Sequence, residues 1–308
     1  MSAEFIQLSL VPLLIGTLAS IACGPARQFP GVRRQSLIGD AVSHVALPGI
    51  VIAFLITGTV AAWPMLIGAA AMAIVAVVLI ETIRRVGRIE PGAAMGVVFT
   101  ALFAMGVLLL EQSDASSVHL DVEHALYGNL ESLIWIAAND WTSLFDREAL
   151  AELPPQLPRL AVVLLAVILF MAAAWKELVI GTFDPDFARS IGARPVVVSL
   201  TLLIMVAIAA VAAFDAVGSI IVIAMFICPP ATARLMTNRL MPQVVWSVVF
   251  SAISAIAGYV IAGYGPIWLG AQSSVSAAGM IATVSGLLLF LATIFGPHRH
   301  RAGVPASS

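Results

Sequence analysis

An aspartate and a histidine, Asp40 and His44, stand four residues apart in the stretch GDAVSHVALPG, which runs from Gly39 to Gly49. On an α-helix residues i and i+4 share a face, so the carboxylate and the imidazole are spaced by about 6 Å along the axis. Pro48 occupies the next step of four. Proline has no N–H, so the carbonyl of His44 loses its helical donor. A carboxylate oxygen, an imidazole nitrogen and a freed carbonyl oxygen form a mixed donor set suited to a divalent first-row cation, with manganese, zinc and iron all compatible. One such pair is too small for a closed site. A two-fold partner bringing the same helix supplies two carboxylates and two imidazoles, enough for a cation in transit. The residues alone leave a plainer reading open. In it Asp40, a turn inside its helix, stabilises the helix dipole and His44 hydrogen-bonds a neighbour.

A second group of candidate ligands is His119, Asp121, Glu123 and His124. Those residue types can hold a metal in passing, or they form a solvated loop that enforces topology. Asp215 opens a later apolar run, where it either lines a gate or caps a helix. Other chemistries lack their residues. The chain has no G-x-x-x-x-G-K-[ST] stretch to cradle ATP, no H-E-x-x-H and no G-x-S-x-G. Cys23 and Cys228 are far apart in apolar surroundings and read as small buried residues.

The elements that must position these groups are apolar helices. Of the 308 residues, 61% are hydrophobic and 10% charged, against about 45–50% and about 25% in soluble domains. That excess implies a polytopic membrane protein. Runs long enough to cross a bilayer fall at 5–23, 36–58, 60–80, 92–110, 158–174, 196–213, 216–236, 243–263 and 277–296. The expected fold is all-α, with about nine (eight to nine) spans in one domain over 1–297 and a disordered tail over 298–308. The N-terminal stretch MSAEFIQLSLVPLLIG carries Glu4 and no basic residue, which implies a retained span rather than a cleaved signal.

Charge sets the expected orientation. Of fifteen basic residues only Arg147 and Arg159 lie outside alternate connections, namely 24–35, 81–91, 175–195, the 234–239 segment and the tail. The opposite connections are acidic, with Glu111, Asp114, Asp121, Glu123, Glu131, Asp140, Asp146, Glu148 and Glu152. The positive-inside rule then puts the N-terminus outside and the C-terminus in the cytoplasm. The outer stretch 139–157 is expected to hold a short amphipathic helix. Glu81 is spaced to pair with Arg84 and Arg85. Pro229-Pro230 is expected to break or kink the run at 216–236.

The segment FDPDFARSIGARP reads as a short helix on the cytoplasmic side. Asp184 caps it, Pro185 is its first residue, and Gly192 ends it before Pro195. Phe187 and Ile191 share one face, as docking knobs for a partner's groove or as part of a simple interfacial turn.

Five stretches, in order, carry a family resemblance. They are GDAVSHVALPGIVIAFLITG, IEPGAAMGVVFTALFAMGVLLL, VHLDVEHALYGNLE, WKELVIGTFDPDFARSIG and FDAVGSIIVIAMFICPPATARLM. The chain resembles the manganese/zinc/iron class of ATP-binding-cassette permeases. It departs from the common DLDC or DLEG forms by reading DVEH at Asp121–His124. The resemblance implies a permease subunit, not an enzyme, in a bacterial inner membrane. It implies a second permease copy or a sister permease, two cytoplasmic ATPases, and an extracytoplasmic metal-binding protein. It makes Asp40 and His44 the path ligands, and Asp184, Pro185, Phe187, Ala188, Ile191 and Gly192 the ATPase-coupling helix. No permanent cofactor is implied; the divalent metal is cargo. Manganese is favoured because the text of the third and fourth spans looks closest to the manganese/iron branch. Zinc and an iron chelate are the alternatives within this architecture. A proton-coupled secondary carrier and an intramembrane hydrolase are the alternatives outside it.

Overall fold

The structure is a computed structural model and describes residues 2–25, 28–29, 38–59, 62–112, 130–138, 140–268 and 275–297. Among these residues every regular element is helical. The reason is the solvent. In hydrocarbon each backbone N–H and C=O must be satisfied within its own segment or in a closed barrel. Short α1 (Ser2–Phe5) leads through a π-helical stretch (Ile6–Leu10) into α2 (Val11–Cys23). There follow α3 (Ile38–Thr57), α4 (Ala62–Gly87), α5 (Pro91–Gln112), α6 (Arg147–Ala151) and α7 (Gln156–Ala173). The chain continues through α8 (Trp175–Phe183), α9 (Pro185–Ser190), α10 (Pro195–Met236), α11 (Leu240–Trp268) and α12 (Ala277–Phe295).

Seven helices among the described residues are long and apolar enough to cross a membrane, and Leu47–Thr57 and Ile220–Met236 are shorter apolar pieces. All nine apolar runs of the sequence therefore fall on helices. Hydroxyls inside the spans turn back on their own helix. Ser20 donates to the Gly16 carbonyl, Thr82 to Val78, Thr100 to Gly96 and Thr232 to Cys228, all at 2.7–2.8 Å.

The helices share two ends. One carries the acidic segment 130–153, and the other carries α8, α9 and most of the basic residues. At the acidic end Pro12 has no N–H, so nearby carbonyls are released to tertiary donors. Gln7 O accepts from the Trp135 N–H at 2.8 Å, and Gln7 Nε2 donates to Ala138 O at 2.6 Å. Trp135 is buried and its indole N–H donates to Ala149 O at 2.8 Å. Glu131 accepts from the Ala277 N–H at 2.5 Å, placing an acid at the N-terminus of α12. The amphipathic helix expected over 139–157 is two short pieces, a 3-10 turn at Trp141–Phe145 and α6. Asp140 and Asp146 each cap the next turn, and two caps in six residues break one helix into two.

The expected break at Pro229-Pro230 is not where the chain breaks. Both prolines lie inside α10, and the non-helical residue is Gly218, at φ 79° and ψ 171°. Both ends of α10 are at the basic end, while the turn at Leu130–Ser132 packs on it from the acidic end. A straight helix of 42 residues would be about 63 Å long, twice the hydrocarbon thickness. The chain therefore reverses at Gly218, which takes a left-handed conformation that residues with a Cβ avoid. A tertiary donor meets one proline carbonyl. Buried Gln28 donates through Nε2 to the Pro230 carbonyl at 3.2 Å.

Candidate functional site

Asp40 and His44 lie on α3 as its third and seventh residues. Their side chains lie outside the described residues, so their place is stated here by backbone register alone. Pro48 is inside the same helix and buried, which leaves the His44 carbonyl without a helical N–H. The stripe occupied by Asp40 and His44 continues at Leu47 and Val51, and Val51 is buried in protein.

Three glycines fix α3 against its neighbours. Gly49 and Gly68 lie backbone to backbone, so that a Cβ on either would run into the other's carbonyl. A Cβ on Gly106 of α5 would come within 2.9 Å of Pro48 Cδ. Hydrocarbon tails give helices no hydrophobic reason to associate, so close approach through small residues does the work. Continuing the antiparallel register set by Gly49 on Gly68 puts His44 level with Ala73 and Asp40 level with Val77, both buried. Val77 is ten residues before the end of α4 at Gly87, about 15 Å. The pair is thus well below the basic end of the bundle, although Asp40 is only the third residue of its own helix. A carboxylate at such depth faces a cavity, a partner or an ion. α3 also packs on α10, the helix that holds Gly218.

The outer cluster of His119, Asp121, Glu123 and His124 lies outside the described residues. Asp215 lies inside the helical part of α10, three residues before Gly218. Its backbone is helical there, and its side chain is outside the described residues. Among the described residues no three His, Cys, Asp or Glu side chains come together as a metal site. Cys23 and Cys228 are free thiols. Glu81 does pair with Arg84 at 2.7 Å and with Arg85 at 2.5 Å.

At the basic end α9 forms as its sequence implies. Asp184 Oδ1 accepts from the Phe187 N–H at 2.9 Å, and Pro185 is the first helical residue. At the other end Gly192 has φ +81°, and the Ala193 N–H donates to the Ala188 carbonyl at 3.0 Å, which is a Schellman ending. Ala188 is fully buried, whereas Phe187 and Ile191 are 52% and 54% exposed. Two apolar side chains thus stand out from a short helix closed at both ends.

Sequence reasoning singled out Asp40, His44 and Pro48 but missed Gly49, Gly68 and Gly106 as their supports. The available signal was glycine within an apolar helical run, which costs helix stability and marks a close approach. It also missed the seam between α2 and α11. Ser247, Ser251 and Ser254 are fully buried there, and a Cβ on Gly24 would come within 2.6 Å of Ser251 Oγ.

The chain is similar to known membrane proteins along most of its length. The profile of the ABC 3 transport family matches residues 3–296. The manganese transport system membrane protein MntD of Bacillus subtilis is 36% identical over 282 residues, covering 92% of this chain and 90% of that protein. The zinc transport system membrane protein TroD of Treponema pallidum is 34% identical over 285 residues, covering 92% of this chain and 73% of that protein. Among solved structures, a chain of PsaBC from Streptococcus pneumoniae in complex with Fab superposes with a TM-score of 0.69. It is 25% identical, over 94% of this chain and 92% of that one.

Proposed function

The chain belongs to the ABC 3 transport family, and from that premise we propose that it imports a divalent metal, manganese first, along a path ligated by Asp40 and His44. What the family and its relatives establish is coarser. This is the multi-pass membrane subunit of a manganese or zinc ABC transporter; it is not an enzyme, and a separate subunit hydrolyses ATP.

The observation that carries the finer reading is the level of the Asp40–His44 step. Ala73 and Val77 at that level are buried, and glycine contacts to α4 and α5 hold the helix in place. A cation entering there exchanges water for a carboxylate, an imidazole and the His44 carbonyl released by Pro48. Two copies, or one copy and a sister permease, double that set. Weak binding suits the task, because a tight closed cage would trap the ion. Alternating access follows if ATP-driven closure of two cytoplasmic ATPases pushes on Phe187 and Ile191 of α9. An extracytoplasmic metal-binding protein would deliver the ion at the acidic end. This orientation puts the N-terminus outside and the basic end in the cytoplasm of a bacterial inner membrane.

The test is metal accumulation in cells carrying Asp40→Ala or His44→Ala in a complex that still assembles. Each variant should lose at least about tenfold in manganese uptake, the effect of about 1.4 kcal/mol. Wild-type uptake in both would remove the ligand assignment. Zinc is the second reading, favoured by the 34% identity to the zinc-system protein TroD. Competition of zinc against manganese in the same uptake measurement separates the two.

A further inference from the structure

A groove of about 660 Å³ opens on the side of the bundle between α2, α7 and α11. Ile21, Val167, Met171, Met241 and Val248 give it apolar walls, and Lys176 brings an ammonium to its rim. Apart from that ammonium and the indole N–H of Trp175, its lining side chains are apolar. Both lips expose large apolar side chains outward. Leu165 and Ile168 of α7 are more than half exposed, as are Met241 and Val245 of α11. In a membrane that mouth faces acyl chains.

The dimensions match one leaflet. Along α11 the groove runs from Met241 to Val248, and along α7 from Ala173 back to Leu164. Seven to nine residues of helix are about 10–14 Å, close to half of a hydrocarbon core of about 30 Å. Lys176 stands where that leaflet's headgroups begin. Arg239, exposed just before α11, adds a second cation at the same end, and the exposed acid Glu177 does not line the groove. An apolar slot one leaflet deep, with a cation at its polar mouth, is complementary to an acyl chain joined to a phosphate.

We propose that this groove binds an anionic glycerophospholipid of the leaflet at the basic end, with one acyl chain against Val167, Met171 and Val248 and its phosphate paired with Lys176. The proposal depends on neither the identity of the metal nor the direction of transport.

The test uses the intact purified transporter in mild detergent, offered phosphatidylglycerol or phosphatidylethanolamine in mixed micelles, with retained lipid counted by native mass spectrometry. Wild-type protein should retain phosphatidylglycerol in preference to phosphatidylethanolamine. Lys176→Gln should retain about fivefold less, the worth of one basic contact of about 1 kcal/mol, and Lys176→Arg should restore it. Ala172→Phe, which fills the slot from its exposed side, should lower retention of both lipids while leaving the melting temperature and metal uptake near wild type. Equal retention of the two lipids, undiminished retention by Lys176→Gln, or undiminished retention by Ala172→Phe would each overturn the proposal. So would a wild-type complex that retains no lipid because a protein subunit covers the groove.

Discussion

Gly68 shows how much a single missing methyl group decides. A Cβ there would meet the Gly49 carbonyl and come within 2.6 Å of the Ala53 side chain. The carbonyl is backbone and cannot rotate away, so α3 and α4 must part. Gly68→Ala should therefore destabilise the protein by about 1–3 kcal/mol, the usual cost of overpacking. It should also lower metal uptake, because α3 carries Asp40 and His44. Gly96→Ala is the control, since nothing lies within 4 Å of a Cβ at that position. It should be neutral or gain up to about 1 kcal/mol from helix propensity. Thermal melting of the solubilised complex, paired with uptake in cells, checks both. If Gly68→Ala melts like wild type, the glycine contact does not hold the helix.

At the scale of elements, α9 and α10 show opposite relations between sequence and structure. Every determinant of α9 is local. Its cap, its first-turn proline and its left-handed glycine act within a few residues, so its bounds could be read directly from Asp184 to Gly192. In the proposed function the two exposed apolar side chains of α9 dock on an ATPase subunit. Phe187→Ser should leave the permease assembled in the membrane but lower its yield in pull-down with the ATPase subunit. Asp184→Ala, which loses a cap worth about 1 kcal/mol, should do the same more weakly. Equal ATPase recovery by Phe187→Ser and wild type would exclude α9 as the coupling element. In α10 local signals mislead. Two prolines suggest a break, yet that stretch stays helical, with a tertiary donor from Gln28 on the Pro230 carbonyl. The reversal falls at Gly218, where the chain needs a positive φ.

For the molecule as a whole, charge asymmetry is the quantity that assigns inside and outside. The acidic segment 130–153 and the basic end with α8 and α9 lie at opposite ends of the same helices. Single cysteines at Glu148 and Arg189, both exposed, should respond oppositely to a membrane-impermeant thiol reagent on whole cells. Glu148→Cys should be labelled from outside, and Arg189→Cys only after the membrane is opened. Of the native thiols, Cys23 is buried in α2 and Cys228 is partly exposed, so Cys228 is replaced by serine in both variants. Labelling in the reverse order would invert the proposed orientation, and with it the face that α9 presents to the ATPases.

By itself the sequence determined the class of solvent, the helical runs, the spacing of Asp40 and His44, and the local closure of α9. Each depends on composition or on residues within one or two turns of each other, where hydropathy and backbone sterics act without distant partners. Only the tertiary structure decided the place of the chain reversal in α10, the depth of the Asp40–His44 step, and the groove beside Lys176. These depend on which backbones approach closely enough to need a glycine. That is settled between helices distant in the chain, where many residue pairs satisfy the same apolar pattern and only shape selects among them.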